Sequence, residues 1–237
     1  MAGAGDVASL PVLAVAAATR CGARRDVNED AFLALTERGL FCVADGMGGH
    51  ADGQLASLSV ARILERMVGT GSLEERVATV ERSLRRINTA LRNEAAKGGL
   101  TAIIGATVVA LVLDTDYAVC IWAGDSRCYL LRDGHLFQMT RDHGALQAPD
   151  QRRTNVVTRA IGSGETLDLD RVVVEVEAGD SFLLCSDGVS DYLSADDILA
   201  CLAGPFEHAT AELVAAAVEA GSRDDVTAVL VRVDGAV

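Results

Sequence analysis

The chain has 237 residues, 50% hydrophobic and 23% charged, with 34 Asp+Glu against 21 Lys+Arg and a formal net charge of −13. Such a composition excludes a disordered chain and leaves room for one large domain or two small ones. The acidity excludes a nucleic-acid partner or an anionic membrane surface, both of which need a basic footprint.

In chain order, the apolar run from Leu10 to Ala18 lacks a basic region on its N-terminal side, the first Arg being Arg20, and is too short to span a bilayer. Strands are expected at Val12 to Thr19, Ala31 to Leu35 and Leu40 to Ala44. Two helices follow, Gln54 to Val68 and Leu73 to Ala96. The second carries Leu73, Val77, Val80, Leu84, Ile87 and Leu91 at helical spacing and stops at Gly98-Gly99. The centre reads as strands: Ala106 to Leu113, Ala118 to Ala123, Cys128 to Arg132 and His135 to Met139, with hairpin chemistry at Asp114-Thr115-Asp116 and Asp133-Gly134. Val156 to Ile161, Val172 to Val176 and Ser181 to Cys185 continue the strand series. Helices at Ala195 to Ala203 and Thr210 to Ala220 precede a last strand, Val226 to Val233. Helices come in pairs and strands in hairpins, which predicts antiparallel sheets with helices outside them, an α+β fold. No repeat or Pro/Ser-rich linker interrupts the chain, so residues 1–237 are expected to form a single domain. The six cysteines form no C-x-x-C pair, and a reduced, cytoplasmic setting fits them.

Carboxylates recur where apolar strands meet loops: Asn28-Glu29-Asp30, Asp45-Gly46-Met47-Gly48-Gly49-His50, Gly124-Asp125-Ser126-Arg127, Ser186-Asp187-Gly188 and Ser222-Arg223-Asp224-Asp225. A single such Asp is ordinarily a turn or N-cap residue. Five sites of one design are harder to explain that way. Carboxylates converging from several strands stay ionised only if cations neutralise them, and an all-oxygen donor set selects Mg²⁺ or Mn²⁺ over Zn²⁺. Such a site suits phosphate-ester hydrolysis.

Arg25-x-x-Asn28-Glu29-Asp30, Val43-Ala44-Asp45-Gly46-Met47-Gly48-Gly49, Gly105-Ala106-Thr107, Ala123-Gly124-Asp125-Ser126-Arg127, Thr140-x-Asp142-His143, Ser186-Asp187-Gly188 and Asp224-Asp225-x-Thr227 occur in this order. The set resembles the metal-dependent protein serine/threonine phosphatases of type 2C (PPM), bacterial branch. The resemblance runs from about Val12 to Val233. It implies a four-layer α-β-β-α sandwich of two antiparallel sheets flanked by helix pairs, with two metal ions at one end. By position, Asp45 would bridge both ions and the Gly46 carbonyl would ligate one. Asp187 and Asp224 would ligate the other, while Glu29 and Asp30 would hold metal-bound waters. Asp125 would join Asp187 at a third, weaker site. A water bridging two divalent ions is acidified enough to attack phosphorus at neutral pH, and Arg25 would hold the phosphate with its guanidinium fork. The implied substrates are phosphoserine and phosphothreonine in proteins, opposing a bacterial Ser/Thr kinase, with the enzyme acting as a monomer. A hydrolase of small phosphoesters and a binding-only relative are the alternatives. Retention of Asp45, Asp187 and Asp224 together counts against the latter. A kinase is excluded because no Gly-rich loop precedes a strand lysine and Lys97 is the only lysine.

Three positions depart from better-known members. Met47 replaces the histidine of the common DGHGG form, leaving His50 either as a general acid or as a helix N-terminal residue. Asp225 stands in the place of an asparagine, either tightening metal binding or accepting backbone hydrogen bonds. The segment from His143 to Asn155, with Arg152-Arg153, is shorter than the usual flap and should leave the site open. His143 itself reads as a structural hydrogen-bonder.

Overall fold

A computed structural model describes residues 10–23, 25–48, 51–97, 104–144 and 157–235. Strands β1 (Val12–Arg20), β2 (Asp30–Leu35) and β3 (Leu40–Met47) lead into helices α1 (Ala51–Met67) and α2 (Leu73–Ala95). Then follow β4 (Gly105–Ala106), β5 (Val108–Leu113), β6 (Tyr117–Ala123), β7 (Arg127–Arg132), β8 (His135–Gln138), β9 (Asp170–Glu175) and β10 (Ser181–Cys185). Helices α3 (Asp187–Ser190), α4 (Ala195–Leu202) and α5 (Phe206–Glu219) precede β11 (Val226–Gly235). The strands build a five-stranded sheet, β1-β11-β10-β7-β8, and a six-stranded one, β2-β3-β5-β6-β9 with β4 beside β3. Every pairing among these strands is antiparallel.

The near-continuous apolar strands follow from burial on both faces. In β5, Val108, Ala110 and Val112 pack toward α1 and α2, while Val109, Leu111 and Leu113 pack toward the other sheet. In β10, Phe182 and Leu184 face the inter-sheet core, and Leu183 and Cys185 join the layer made with α5. Three apolar layers therefore separate four layers of structure, matching the sandwich expected from sequence.

Helix α2 starts at a capping box, with Ser72 Oγ accepting from Glu75 N at 3.3 Å and Glu75 Oε2 accepting from Ser72 N at 3.1 Å. One turn on, buried Arg76 ties the helix to the sheet. It donates to Asp114 Oδ2 at 2.8 Å and to the carbonyls of Arg38 at 2.7 Å, Leu113 at 3.0 Å and Gly71 at 3.1 Å.

Several boundaries differ from the sequence expectation. The strand expected at Val156 to Ile161 is absent over the described residues 157–161. Only isolated bridges form there, Gly144 with Val157 and Ala106 with Ile161. Gly162 follows in a left-handed conformation (φ +88°), which takes the chain out of line with a strand. The strand expected from Ala106 breaks at Thr107, opposite Asp45, where the Thr side chain enters the site. Helix α5 begins at Phe206, just after Pro205, rather than at Thr210. A 3₁₀ turn at Thr36–Arg38 and the one-turn α3 were not foreseen. Gly98-Gly99, Val156, Arg152-Arg153 and the 145–154 part of the short flap lie outside the described residues, as does His50.

Replacing Arg76 with alanine removes the donor to Asp114 Oδ2 and to three carbonyls, that of Leu113 buried. The expected loss is about 3–5 kcal/mol in urea-unfolding free energy. A loss below about 1 kcal/mol would show that the clamp is not structural.

Candidate functional site

The topology delivers the chemical groups to one end of the sandwich. The chain passes from one sheet to the other between β1 and β2, carrying Arg25 and Glu29, and again between β6 and β7, carrying Asp125. Asp45 lies near the end of β3, directly opposite Asp30 at the start of β2. Asp187 follows the end of β10, and Asp224 precedes the start of β11. Arg25, Glu29, Asp45, Gly46, Met47, Gly48, Thr107, Asp125, Val157, Asp187 and Asp224 line one cleft of about 450 Å³. Asp30 lies buried behind it.

The backbone is set tightly here. Gly46 donates its N–H to the Glu29 carbonyl at 3.1 Å. A Cβ on Gly46 would run into the Gly53 carbonyl, so only glycine lets the start of α1 pack this closely against β3. Thr107 N donates to Asp45 O at 2.9 Å, and Asp45 N donates to Thr107 Oγ1 at 3.2 Å, with the Ser126 hydroxyl 2.7 Å from the same oxygen. Ser186 Oγ donates to Asp30 Oδ2 at 2.8 Å and accepts from Thr227 N at 3.0 Å, joining the two sheets behind the cleft.

Electrostatics set these carboxylates apart from surface acids. Burial pushes the Asp45 carboxyl well above its ordinary range, and the charges of Asp30, Asp187, Asp224 and Asp125 push the same way. Burial raises Asp30 to about 7 despite hydrogen bonds from Thr227 and Ser186. Burial, then Asp125 and Asp224, raise Asp187 to about 8, and burial also raises Asp125. Among the described residues, Asp30 Oδ1, Asp125 Oδ1 and Asp187 Oδ1 are buried without a hydrogen-bond donor. Like charges held this way call for a cation.

The donors are all oxygen, and they fit a hard divalent ion of the Mn²⁺ or Mg²⁺ type. No three His, Cys, Asp or Glu side chains among the described residues stand close enough to enclose an ion by themselves. Arg25 holds Asp224 Oδ1 at 2.6 Å and Glu29 Oε1 at 2.9 Å at the same cleft. Burial works against the Arg25 charge, but Asp224 and Glu29 outweigh it and keep the guanidinium protonated.

The two open sequence readings at Asp225 resolve toward hydrogen bonding: its oxygens accept from Gly22 N at 2.8 Å and Glu29 N at 2.7 Å. His143 is structural, as expected. It accepts from Gly124 N through Nδ1 at 3.2 Å, lies 3.1 Å from Asp170 through Nε2 and stacks on Trp122. Arg127 of the GDSR motif is engaged away from the cleft, with a bidentate pair to Asp142 at 2.9 and 2.8 Å. Sequence reasoning gave no role to Thr107, although its motif was visible. It had no signal for Val157, which reaches the cleft only through the course of the chain after the flap.

The raised carboxyls have a sign that can be tested. In the ion-free protein they bind protons more tightly folded than unfolded, so their contribution is most favourable below about pH 4 and is lost as pH rises through about 7 to 8. A divalent ion removes that penalty and displaces the protons. The gain in Tm with Mn²⁺ over EDTA is therefore expected to be larger at pH 8 than at pH 6. Equal gains at both would contradict this arrangement.

A family model described as protein phosphatase 2C matches residues 19–231. The serine/threonine protein phosphatase PstP of Mycobacterium tuberculosis is 32% identical over 232 residues, covering 92% of this chain and 45% of that protein. The chain thus spans about half the length of that relative, whereas protein phosphatase PhpP of Streptococcus pneumoniae, 29% identical, matches over 90% of this chain and 94% of its own. Among solved structures, PppA of Pseudomonas aeruginosa, described as a key regulatory component of T6SS, superposes with a TM-score of 0.88 at 38% identity, covering 95% of this chain and 98% of that one. The catalytic domain of PstP in complex with two manganese ions superposes with a TM-score of 0.81 at 32% identity, covering 93% and 97%. By this family match over most of its length and by these likenesses, the chain belongs to the protein phosphatase 2C family, whose relatives here are named as serine/threonine protein phosphatases.

Proposed function

We propose that this chain removes phosphate from phosphoserine and phosphothreonine in proteins, as a single catalytic domain over residues 1–237, opposing a bacterial Ser/Thr kinase. The observation that carries the reading is the guanidinium of Arg25 beside convergent carboxylates in one cleft. When bound, two Mn²⁺ or Mg²⁺ ions would activate water to hydroxide for in-line attack on phosphorus and balance the charge of the phosphate. Asp45, the Gly46 carbonyl, Asp187 and Asp224 are the proposed ligands, with Asp125 joining Asp187 at a third ion and Glu29 and Asp30 orienting waters.

Arg25 binds two phosphate oxygens with its fork, exchanging part of its pairing with Asp224 and Glu29 for the substrate. The Asp45 carboxylate is held in place by Thr107, which fixes the backbone on either side of its Cα. His50 is the proposed donor of a proton to the leaving serine or threonine oxygen. A cytoplasmic setting belongs to this reading. It is supported by six free cysteines, and among the described residues no helix is long and apolar enough to cross a membrane.

Phosphate release from a phosphothreonine peptide tests the proposal. Activity is expected with Mn²⁺, abolished by EDTA and reduced at least about 100-fold in Asp45→Asn and Asp224→Asn. Activity that survives chelation or both substitutions would overturn it. Arg25→Ala is expected mainly to raise KM. His50→Ala should lower kcat for poor leaving groups more than for p-nitrophenolate, and equal losses would reject its acid role.

A further inference from the structure

The loop between β1 and β2 carries Arg25, and its two ends are held by one side chain from the far end of the sequence. Asp225 Oδ1 accepts from Gly22 N at 2.8 Å, and Asp225 Oδ2 accepts from Glu29 N at 2.7 Å. Within the loop, Arg25 N donates to Gly22 O at 3.0 Å, closing the turn from which the Arg25 side chain leaves. Glu29 O in turn accepts from Gly46 N at 3.1 Å, so the second anchor continues into the strand that bears Asp45. Gly22 lies so close to the 223–224 backbone that a Cβ would meet the Arg223 carbonyl oxygen and stand 2.6 Å from the Asp224 carbonyl carbon. Asp225 is itself 3% exposed, so these donors stand where water would otherwise solvate its carboxylate.

The resembled family commonly has asparagine at this position, and the chemistry here distinguishes the two residues. The two N–H groups approach different oxygens of the side chain. A carboxylate accepts both, whereas an amide has one carbonyl oxygen and must turn its NH₂ toward the other donor. We infer that Asp225 is a positioning residue. Its carboxylate pins both ends of the β1–β2 loop and so sets the guanidinium of Arg25 in the cleft. This rests on the proposed role of Arg25 in holding phosphate.

The test uses the Mn²⁺-loaded full chain in four forms: wild type, Asp225→Asn, Arg25→Ala and the double variant. Each is titrated calorimetrically with inorganic phosphate and assayed on a phosphothreonine peptide. Asp225→Asn is expected to raise the phosphate Kd and the peptide KM about five-fold or more, with kcat within about two-fold of wild type. The double variant should bind phosphate no more weakly than Arg25→Ala, because Asp225 acts through that side chain. Unchanged phosphate affinity in Asp225→Asn, or a loss that adds in full to that of Arg25→Ala, would overturn the inference. Should Asp225→Asn not fold, Gly22→Ala keeps the carboxylate and displaces one of its donors. It is expected to weaken phosphate binding in the same way, and wild-type affinity there would overturn the inference. Arg25→Ala with wild-type Kd and KM would remove Arg25 from phosphate binding and this inference with it. Phosphate binding with the expected pattern but no peptide hydrolysis would overturn the hydrolase reading alone.

Discussion

Mutual repulsion among carboxylates at one end of an apolar sandwich is the constraint around which the rest of the molecule is arranged. Asp30 and Asp45 face each other directly across two strands, an arrangement that is unfavourable for like charges. Asp187 and Asp125 add to the same field, and burial removes the water that would screen it. The fold tolerates this because protons, Arg25 or divalent ions can each supply compensating charge.

Holding such groups against their repulsion requires stiff supports. Each carboxylate is placed at or next to a strand end, and the strands are anchored by apolar layers on both faces. Hydroxyls and backbone groups then set orientation. Thr107 braces Asp45, Ser186 braces Asp30 from the opposite sheet, and Asp225 grips the loop of Arg25 and Glu29. The two sheets are thus joined around the cleft by polar contacts between residues far apart in sequence. Their relative position and the geometry of the site are one problem rather than two.

Much of this was legible beforehand because apolar runs and turn residues are local signals. The strands at Leu40 to Ala44, Ser181 to Cys185 and Val226 onward, and helix α2 with its spaced leucines and valines, came out close to where they were read. The recurring strand-end carboxylates also pointed to one site. Reading failed where the structure departs from local preference. The described residues 157–161 have strand composition but form only two isolated bridges, and the break at Thr107 falls where that side chain accepts from Asp45 N. The two readings of Asp225 could not be separated without knowing that Gly22 and Glu29 present their N–H groups to it.

The sequence by itself determined the α+β class, the family and the identity of the acidic residues at the site, since all of these are carried by spacing and motif along the chain. Only the tertiary structure decided which charges are paired. It set Arg25 against Asp224 and Glu29, took Arg127 away to Asp142, and turned Asp225 inward onto two backbone donors. The reason is physical: a carboxylate is the same residue at a turn, in an ion pair or beside a metal. What distinguishes these roles is which partners, about 200 residues away in the case of Asp225, are folded to within hydrogen-bond reach.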